Sequence, residues 1–352
     1  MLSGRSCACA ILASGVLAVP AGGAAAAPPK QFFGVQAWNS PSAREFKKIS
    51  AAGIGTFRVN ITWAAVEPER GARNWEPVDS DLARINRAGL RPLPVILGSP
   101  KFAAPTSTYP PRSNARRAYA AFVRDLVARY GPEGEFWDEN PSLAYRPVRA
   151  WQVWNEPSFA PYWNGRPNAR EYVSFVRQTR TAIKSSDPGA GIVLAGLPDT
   201  EYQGKRNLLP YIRSIYRVRG ASELFDVVAL NAYAKDARSV VGVVRRVRGE
   251  MNRAGDRRTP IWVTETGWGS GGDGNNVLTR TPSVQASLLR SVYRALIAVR
   301  SRYRIGLVAW FSLRDRKPGA GEPNWWAIHT GLFDRAGREK PAWRAYRSIT
   351  GR

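Results

Sequence analysis

Short apolar runs rich in β-branched residues alternate along the chain with longer segments in which apolar residues recur every three or four positions. The short runs predict strands, and the longer segments predict helices with one apolar face, such as the stripe from Tyr119 to Val127. We predict eight strands, at residues 32–36, 56–63, 91–97, 149–156, 191–197, 226–233, 261–265 and 306–313.

Residues that begin and end helices lie between these runs. Ser80 and Asp81 mark a helix start before Leu82, Gly89 marks its end, and a last helix is predicted at residues 341–349. Eight strands that are each followed by a helix predict a (β/α)8 TIM barrel, an α/β fold, in one domain over residues 28–352. A doubly wound sheet with inserted loops is the alternative, and the length of 352 residues suits either one barrel or two smaller domains.

Residues 1–27 have the pattern of a secretory signal peptide, with Arg5 near the start, an apolar run at 7–19 and small residues at 21–27. The apolar run is too short to span a membrane. We therefore expect cleavage near Ala27 and a protein secreted to the cell envelope or the extracellular space. Both cysteines, Cys7 and Cys9, lie in this segment, so the mature chain would contain no disulfide.

The residue inventory argues against several chemistries. With His329 as the single histidine and no mature cysteine, we do not expect a Ser/His/Asp triad, a Cys/His dyad or a zinc site. Gly269, Gly271 and Gly274 spell GxGxxG, but the next helix signal is Pro282, which argues against a dinucleotide site. We expect neither a metal ion nor another cofactor.

The formal net charge of +25 predicts attraction to polyanions. The arginines are spread over all predicted helices, which favours a solvated surface over a nucleic-acid-binding face. An anionic cell-wall polymer remains a candidate partner, and nucleic acid is not expected. Asn60 opens the glycosylation sequon Asn-Ile-Thr inside a predicted strand, where we expect it to be buried.

Two glutamates carry the strongest functional signal. Glu156 ends the fourth predicted strand and Glu265 ends the seventh. In a TIM barrel, the carboxyl ends of the strands converge on the active site. Because a glycosidase needs two carboxyl groups flanking the scissile bond, these residues are the candidate catalytic pair.

The surrounding sequence resembles a known group of enzymes. The segments VNITWAAVEPERG at 59–71, AWQVWNEP at 150–157, VTETGW at 263–268 and GLFDRAGREKPAWRAY at 331–346 carry the resemblance. They are similar to the retaining glycoside hydrolases of the clan that includes cellulases, β-xylosidases and family 39 enzymes. The likeness covers nearly the whole chain after the signal segment.

The resemblance implies that Glu156 is the general acid/base and Glu265 the nucleophile that forms a glycosyl-enzyme. It implies that Arg58 and Tyr233 assist Glu265, and that Asn155 contacts the sugar 2-hydroxyl. Trp310 matches a platform under the reacting sugar, and we also expect Trp38 and Trp268 to bind substrate. Many relatives have histidine where this chain has Asn231, which leaves the hydrogen bonds around Tyr233 open.

The sequence therefore predicts a secreted retaining glycosidase that cleaves β-linked poly- or oligosaccharides by double displacement, within the polymer chain. One alternative is an exo-acting enzyme similar to β-xylosidases or β-glucosidases. Another is a non-catalytic barrel that binds cell-wall carbohydrate.

Overall fold

The structure is a computed structural model, and it describes residues 27–199, 207–274 and 276–352. Apart from Ala27, the predicted signal peptide at residues 1–27 lies outside the described residues, as do Cys7 and Cys9. Signal cleavage and secretion therefore stay predictions.

Eight parallel strands close into a barrel in which each strand pairs with its neighbours in chain order, and β8 pairs with β1. This arrangement confirms the predicted (β/α)8 TIM barrel. The strands are β1 (Phe33–Gln36), β2 (Thr56–Thr62), β3 (Arg91–Leu97), β4 (Ala150–Asn155), β5 (Gly191–Pro198), β6 (Val228–Asn231), β7 (Ile261–Thr266) and β8 (Ile305–Phe311).

Helices surround the barrel, and several begin at a polar capping residue. Ser42, Asn168, Asp236 and Thr281 each accept a hydrogen bond from a backbone N–H of the first helical turn. The helices are α1 (Ala43–Ala51), α2 (Trp63–Val66), α3 (Glu76–Arg87), α4 (Arg116–Tyr130), α5 (Glu135–Glu139), α6 (Ala169–Ser186), α7 (Leu208–Tyr216), α8 (Ala237–Arg253), α9 (Pro282–Tyr303) and α10 (Pro341–Thr350).

The predicted start of α3 was wrong. Ser80 and Asp81 lie inside this helix, which begins at Glu76. Pro77 occupies the first turn, where its missing N–H costs no helical hydrogen bond, and the Glu76 carboxylate lies at the positive end of the helix dipole. These two residues give an earlier start than the Ser-Asp pair.

Side chains alternate between the interior of the barrel and the helix layer along each strand. On β8, Leu307 belongs to a small apolar cluster inside the barrel and Phe311 lines a cleft at its carboxyl end. Val308 and Trp310 point the other way and belong to the larger core under the helices. The interior of the barrel is thus packed separately from the layer around it.

Among the described residues, no helix is long and apolar enough to cross a membrane. The described part of the chain also holds no cluster of three or more metal-ligating side chains. Within the described part of the glycine-rich loop after β7, no helix opens before α9 at Pro282.

Candidate active site

A cleft of about 420 Å³ lies at the carboxyl ends of the strands. Its base is formed by strand-end residues, and its walls come from the loops after β1, β3, β4 and β8. The lining residues include Gln36, Trp38, Asn60, Trp154, Asn155, Glu156, Phe159, Tyr162, Tyr233, Glu265, Phe311, Trp325 and Trp326.

The structure brings the two predicted catalytic glutamates into this cleft. Glu265 lies on β7, and Glu156 follows β4 directly. Both glutamates are largely buried, with exposed fractions of 9% for Glu156 and 7% for Glu265. Buried carboxyls of this kind are costly unless their environment supports them, which is typical of functional sites.

The backbone around Glu156 has an uncommon conformation. Trp154 and Glu156 have φ angles of 70° and 49°, in the left-handed region that non-glycine residues rarely adopt. Such conformations cost about 1–3 kcal/mol each and concentrate at functional sites. The backbone N–H of Glu156 donates to Gly196 O at 3.2 Å, which anchors the turn to β5.

Arg58 on β2 organises the base of the cleft. Its guanidinium donates to the Gln152 side chain at 2.8 Å, to Asn155 at 2.9 Å and to Glu265 at 2.6 Å, and it also contacts the Gln36 amide oxygen. Arg58 is 1% exposed, so these contacts form away from bulk water. A planar, permanently charged group with four partners joins β2 to β1, β4 and β7.

Glu265 accepts hydrogen bonds on both carboxylate oxygens. Arg58 donates to Oε1, and the Tyr233 hydroxyl donates to Oε2 at 2.7 Å. Both groups are the partners that the sequence resemblance implied for this residue. A cation and a hydroxyl donor together stabilise the ionised form of the carboxyl.

Glu156 has a different environment. Its Oε1 accepts a hydrogen bond from the Asn231 amide at 2.8 Å. Burial, followed by the negative charge of Glu265, raises the pKa of Glu156, while the Asn231 hydrogen bond and the Arg58 charge act in the opposite direction. The net effect favours a protonated Glu156 next to an ionised partner, which is the pattern of a general acid beside a nucleophile.

The amide of Asn155 is oriented by its neighbours. Its Oδ1 accepts from Arg58 at 2.9 Å and from Asn231 at 3.4 Å. Because Arg58 can only donate, the oxygen of Asn155 faces Arg58 and the NH₂ group is left to point toward the cleft. No described residue accepts a hydrogen bond from that NH₂ group.

The predicted aromatic residues separate into two sets. Trp38 lines the cleft, whereas Trp268 and Trp310 are fully buried and are not among the residues that line it. Their indole N–H groups donate to Ala234 O and Thr330 O, both at 2.9 Å. Since neighbouring residues on a strand face opposite sides, Phe311 presents the aromatic face at this position in place of Trp310.

Several cleft residues were not identified from the sequence. Gln36 and Gln152 hold Arg58, and Asn231 holds Glu156. Gln152 is a polar residue within an apolar strand, and Gln36 and Asn231 are the polar last residues of β1 and β6, a pattern that the sequence already contains. The prediction that Asn60 is buried was wrong: this residue is exposed, because it lies at the carboxyl end of β2 and lines the cleft.

The loop after β8 forms one wall of the cleft. The Arg316 guanidinium lies 4.1 Å from the centre of a Trp38 ring and binds Glu322 through two hydrogen bonds of 2.6 and 2.5 Å. Glu322 also accepts from the Trp325 indole at 2.9 Å. These contacts lower the pKa of Glu322 to about 2, with the Arg316 hydrogen bond as the main cause. The loop is therefore tied to the aromatic residue on the facing wall.

No family model matches the chain, and no curated protein matches it. Solved structures do match. A family 39 glycoside hydrolase from the gut symbiont Bacteroides cellulosilyticus WH2 is 19% identical with a TM-score of 0.66, over 92% of this chain and 64% of its own.

A monomeric beta-xylosidase from Caulobacter crescentus CB15 is 19% identical with a TM-score of 0.67, over 92% of this chain and 69% of its own. An exo-beta-1,4-mannosidase from Opitutaceae bacterium strain TAV5 is 15% identical with a TM-score of 0.62, over 91% and 59%. The chain thus spans about three fifths to two thirds of the length of these structures. At such identities the likeness concerns the fold, and the barrel of this chain is similar to the barrels of glycoside hydrolases.

Proposed function

We propose that this protein is a retaining glycoside hydrolase that acts on β-linked sugars. The observation that carries the proposal is the asymmetric pair of buried carboxyls. Glu265 accepts from a cation and a phenol, whereas Glu156 has one amide donor and a raised pKa. The glycoside hydrolase structures that share the fold support the same activity.

In the first step, a Glu265 oxygen attacks the anomeric carbon while Glu156 gives its proton to the departing glycosidic oxygen. The carbon–oxygen bond to the leaving group breaks as the ester bond to Glu265 forms. In the second step, Glu156 takes a proton from water, and the hydroxyl oxygen displaces Glu265. The anomeric configuration is retained, because each step inverts it once.

The remaining residues position the sugar. The free NH₂ group of Asn155 donates to the 2-hydroxyl, a contact that strengthens as positive charge develops at the transition state. Trp38, Phe311 and Trp326 provide aromatic faces for the sugar C–H surfaces. Trp268 and Trp310 are omitted from the substrate-binding set, because they pack beneath the cleft.

The substrate is a neutral glycan. None of the described residues that line the cleft is a lysine or an arginine, and Arg58 beneath it is already paired with Glu265. A uronate would therefore meet two carboxyls and no unpaired cation. Aromatic residues from the loops after β1, β4 and β8 suit several sugar subsites, which supports endo action.

Trapping the glycosyl-enzyme tests the assignment. A 2-deoxy-2-fluoro β-glycoside with a dinitrophenolate leaving group is expected to inactivate the enzyme and to add one sugar to the peptide that contains Glu265. Glu265→Ala and Glu156→Ala are both expected to lose activity by about 10³-fold or more, while the exposed Glu133→Ala serves as a control.

Azide separates the two roles. It is expected to restore turnover of an activated substrate, giving the α-glycosyl azide with Glu265→Ala and the β-glycosyl azide with Glu156→Ala. Retention further predicts that the two carboxyls lie about 5–5.5 Å apart. An inverted product, or binding of glycans without hydrolysis of any, would contradict the proposal.

Products resolved by length test the endo assignment. Cleavage within the chain gives a mixture of oligosaccharides early in the reaction. A single monosaccharide released from the chain end would instead identify an exo-acting enzyme similar to β-xylosidases or β-glucosidases.

A further inference from the structure

A second cavity lies at the opposite end of the barrel. It measures about 710 Å³, against about 420 Å³ for the cleft that contains the glutamates. Its lining includes the first residues of four strands, Thr56, Arg91, Ala150 and Gly191. The cavity therefore opens at the amino-terminal mouth of the barrel, away from the carboxyl-end cleft.

Small residues at the strand starts leave this space unfilled. Ala150, Gly191 and Gly306 line the cavity where larger side chains would fill it. A Cβ atom on Gly306 would lie 2.5 Å from the Trp262 indole nitrogen, so glycine allows the indole to lie flat against β8. The floor is apolar and is formed by Leu93, Val193, Val227 and Leu307.

The charged groups that line the cavity are cations. Its described lining residues include Arg91, Arg146 and Arg149 and no aspartate or glutamate. Arg149 pairs with Asp187 at 3.2 Å, but Arg91 and Arg146 form no ion pair with any described residue. The Trp262 indole N–H likewise donates to no described group. An apolar floor under unpaired guanidinium groups is complementary to an anion with an apolar body.

We propose that this cavity is a binding site for an amphiphilic carboxylate, separate from the glycosidase cleft. The apolar body would pack on the floor and against Trp262. The carboxylate would lie at the mouth, where a guanidinium can donate two parallel hydrogen bonds to it. A volume of this size is within the range of small-molecule sites in proteins.

The layer above the cavity separates it from the cleft. Arg58 and Gln152 fill the barrel interior between the cavity and the cleft. They are joined by a 2.8 Å hydrogen bond and are 1% and 0% exposed. A carboxylate at the amino-terminal mouth would therefore leave the two glutamates accessible. Binding at this site and hydrolysis are expected to occur together.

Calorimetric titration with decanoate, and with decan-1-ol as the neutral match, tests the proposal on the full chain. Decanoate is expected to bind at a stoichiometry of one, and at least about fivefold more tightly than the alcohol. The double variant Arg91→Glu/Arg146→Glu is expected to weaken decanoate binding by about tenfold or more, because it replaces both unpaired cations with negative charges that repel the carboxylate. Hydrolysis of an aryl glycoside is expected to stay within about twofold.

The matched control is Arg245→Glu/Arg294→Glu, which changes the net charge equally on the exposed faces of α8 and α9. It is expected to bind decanoate as the unmodified chain does. Val193→Phe provides a second test, because it fills the cavity without changing charge, and its thermal unfolding reports whether the fold is intact. The proposal is overturned if decanoate does not saturate, if the alcohol binds equally well, if both double variants weaken binding alike, or if a folded Val193→Phe binds normally.

Discussion

Two glutamates in one cleft differ because their neighbours differ. Glu265 has Arg58 and Tyr233 at 2.6 and 2.7 Å, so its negative charge is compensated where it lies. Among the described residues, Glu156 accepts a side-chain hydrogen bond only from the Asn231 amide, at 2.8 Å, and burial raises its pKa. The proposed division of roles between two chemically identical side chains thus follows from donors on β2, on β6 and just after β6.

Replacing Asn231 by Leu should change the pH dependence of hydrolysis. The Asn231 amide lowers the pKa of Glu156, and leucine has a similar volume without a donor, so the variant should raise that pKa further. Because the first step needs protonated Glu156, the alkaline limb of the kcat/KM profile should move to higher pH, by about half a unit or more.

The acid limb provides the internal control for this variant, because Asn231 donates to Glu156 and not to the Glu265 carboxylate, which accepts from Arg58 and Tyr233. An alkaline limb that stays in place would contradict the assignment of Glu156 as the acid. A shift to lower pH would show that water enters the site in place of the amide.

Glu156→Gln should stabilise the protein while abolishing hydrolysis of unactivated substrates. Because the pKa of Glu156 is raised in the folded state, this carboxyl destabilises the fold at pH values above its unfolded pKa of about 4.3. In that range, folding requires either that the carboxyl takes up a proton or that a charge is buried. The neutral amide removes this cost, and Tm near pH 8 should rise by about 2 °C or more. The gain should shrink toward pH 4, and equal Tm values at every pH would contradict the raised pKa.

The sequence predicts some of the site residues and not others. Glu156 and Glu265 could be placed in the cleft because they end apolar strands. The sequence resemblance assigned Trp310 to the sugar platform, whereas Phe311, the next residue, lies on the inner face of β8. Strand periodicity places only one of these two neighbours on that face. The choice between them depends on the register of β8, which has shifts against β7 that the sequence does not mark. Hydrogen bonds between distant strands, such as Arg58 with Gln152, depend on pairing that local patterns do not contain.

At the scale of elements, strands were predicted to within three residues at every boundary, because each short apolar run is bounded by polar or turn residues. Helix starts were predicted where a cap is followed at once by the helix, as at Thr281 and Pro282. The start of α3 failed because Pro77 and Glu76 gave a competing signal. Loop conformations were not predictable, since they depend on side chains from several loops meeting above the barrel.

Glu322→Gln should loosen the loop after β8 and weaken substrate binding. The change removes a charge that holds Arg316 at 2.5 Å and Trp325 at 2.9 Å, while Glu156 and Glu265 keep their partners. KM should rise by about three- to tenfold with kcat within about twofold.

Glu339→Gln is a suitable control for this loop, because its ion pair with Lys48 is 3.7 Å long and exposed. Since the pKa of Glu322 is about 2, the difference between variant and unmodified enzyme should be constant from pH 5 to 8. A loss confined to kcat would show that the loop acts on the chemical step instead.

At the scale of the whole molecule, the charge is distributed unevenly. The chain carries a formal +25, yet no lysine or arginine is among the described residues that line the cleft, whose floor holds two carboxyls. The sequence predicts the total charge but not this separation, because the separation depends on which residues the barrel turns inward. Among the described residues, the excess of cations therefore lies outside the lining of the cleft.

Ionic strength should affect polyanion binding to the cationic surface but not hydrolysis of a neutral substrate in the cleft. For a neutral β-glycoside, kcat/KM should change by less than about twofold between roughly 20 and 300 mM salt, because a neutral substrate is not steered by charge. Retention on immobilised polygalacturonate should fall steeply over the same range, as counterion release requires for a cationic surface. Both are measured on the same preparation, and the uronate polymer is also assayed for cleavage. If it were cleaved faster than a neutral glycan, with a rate that salt suppresses, the cationic surface would have to extend into the cleft, whose described lining holds no lysine or arginine.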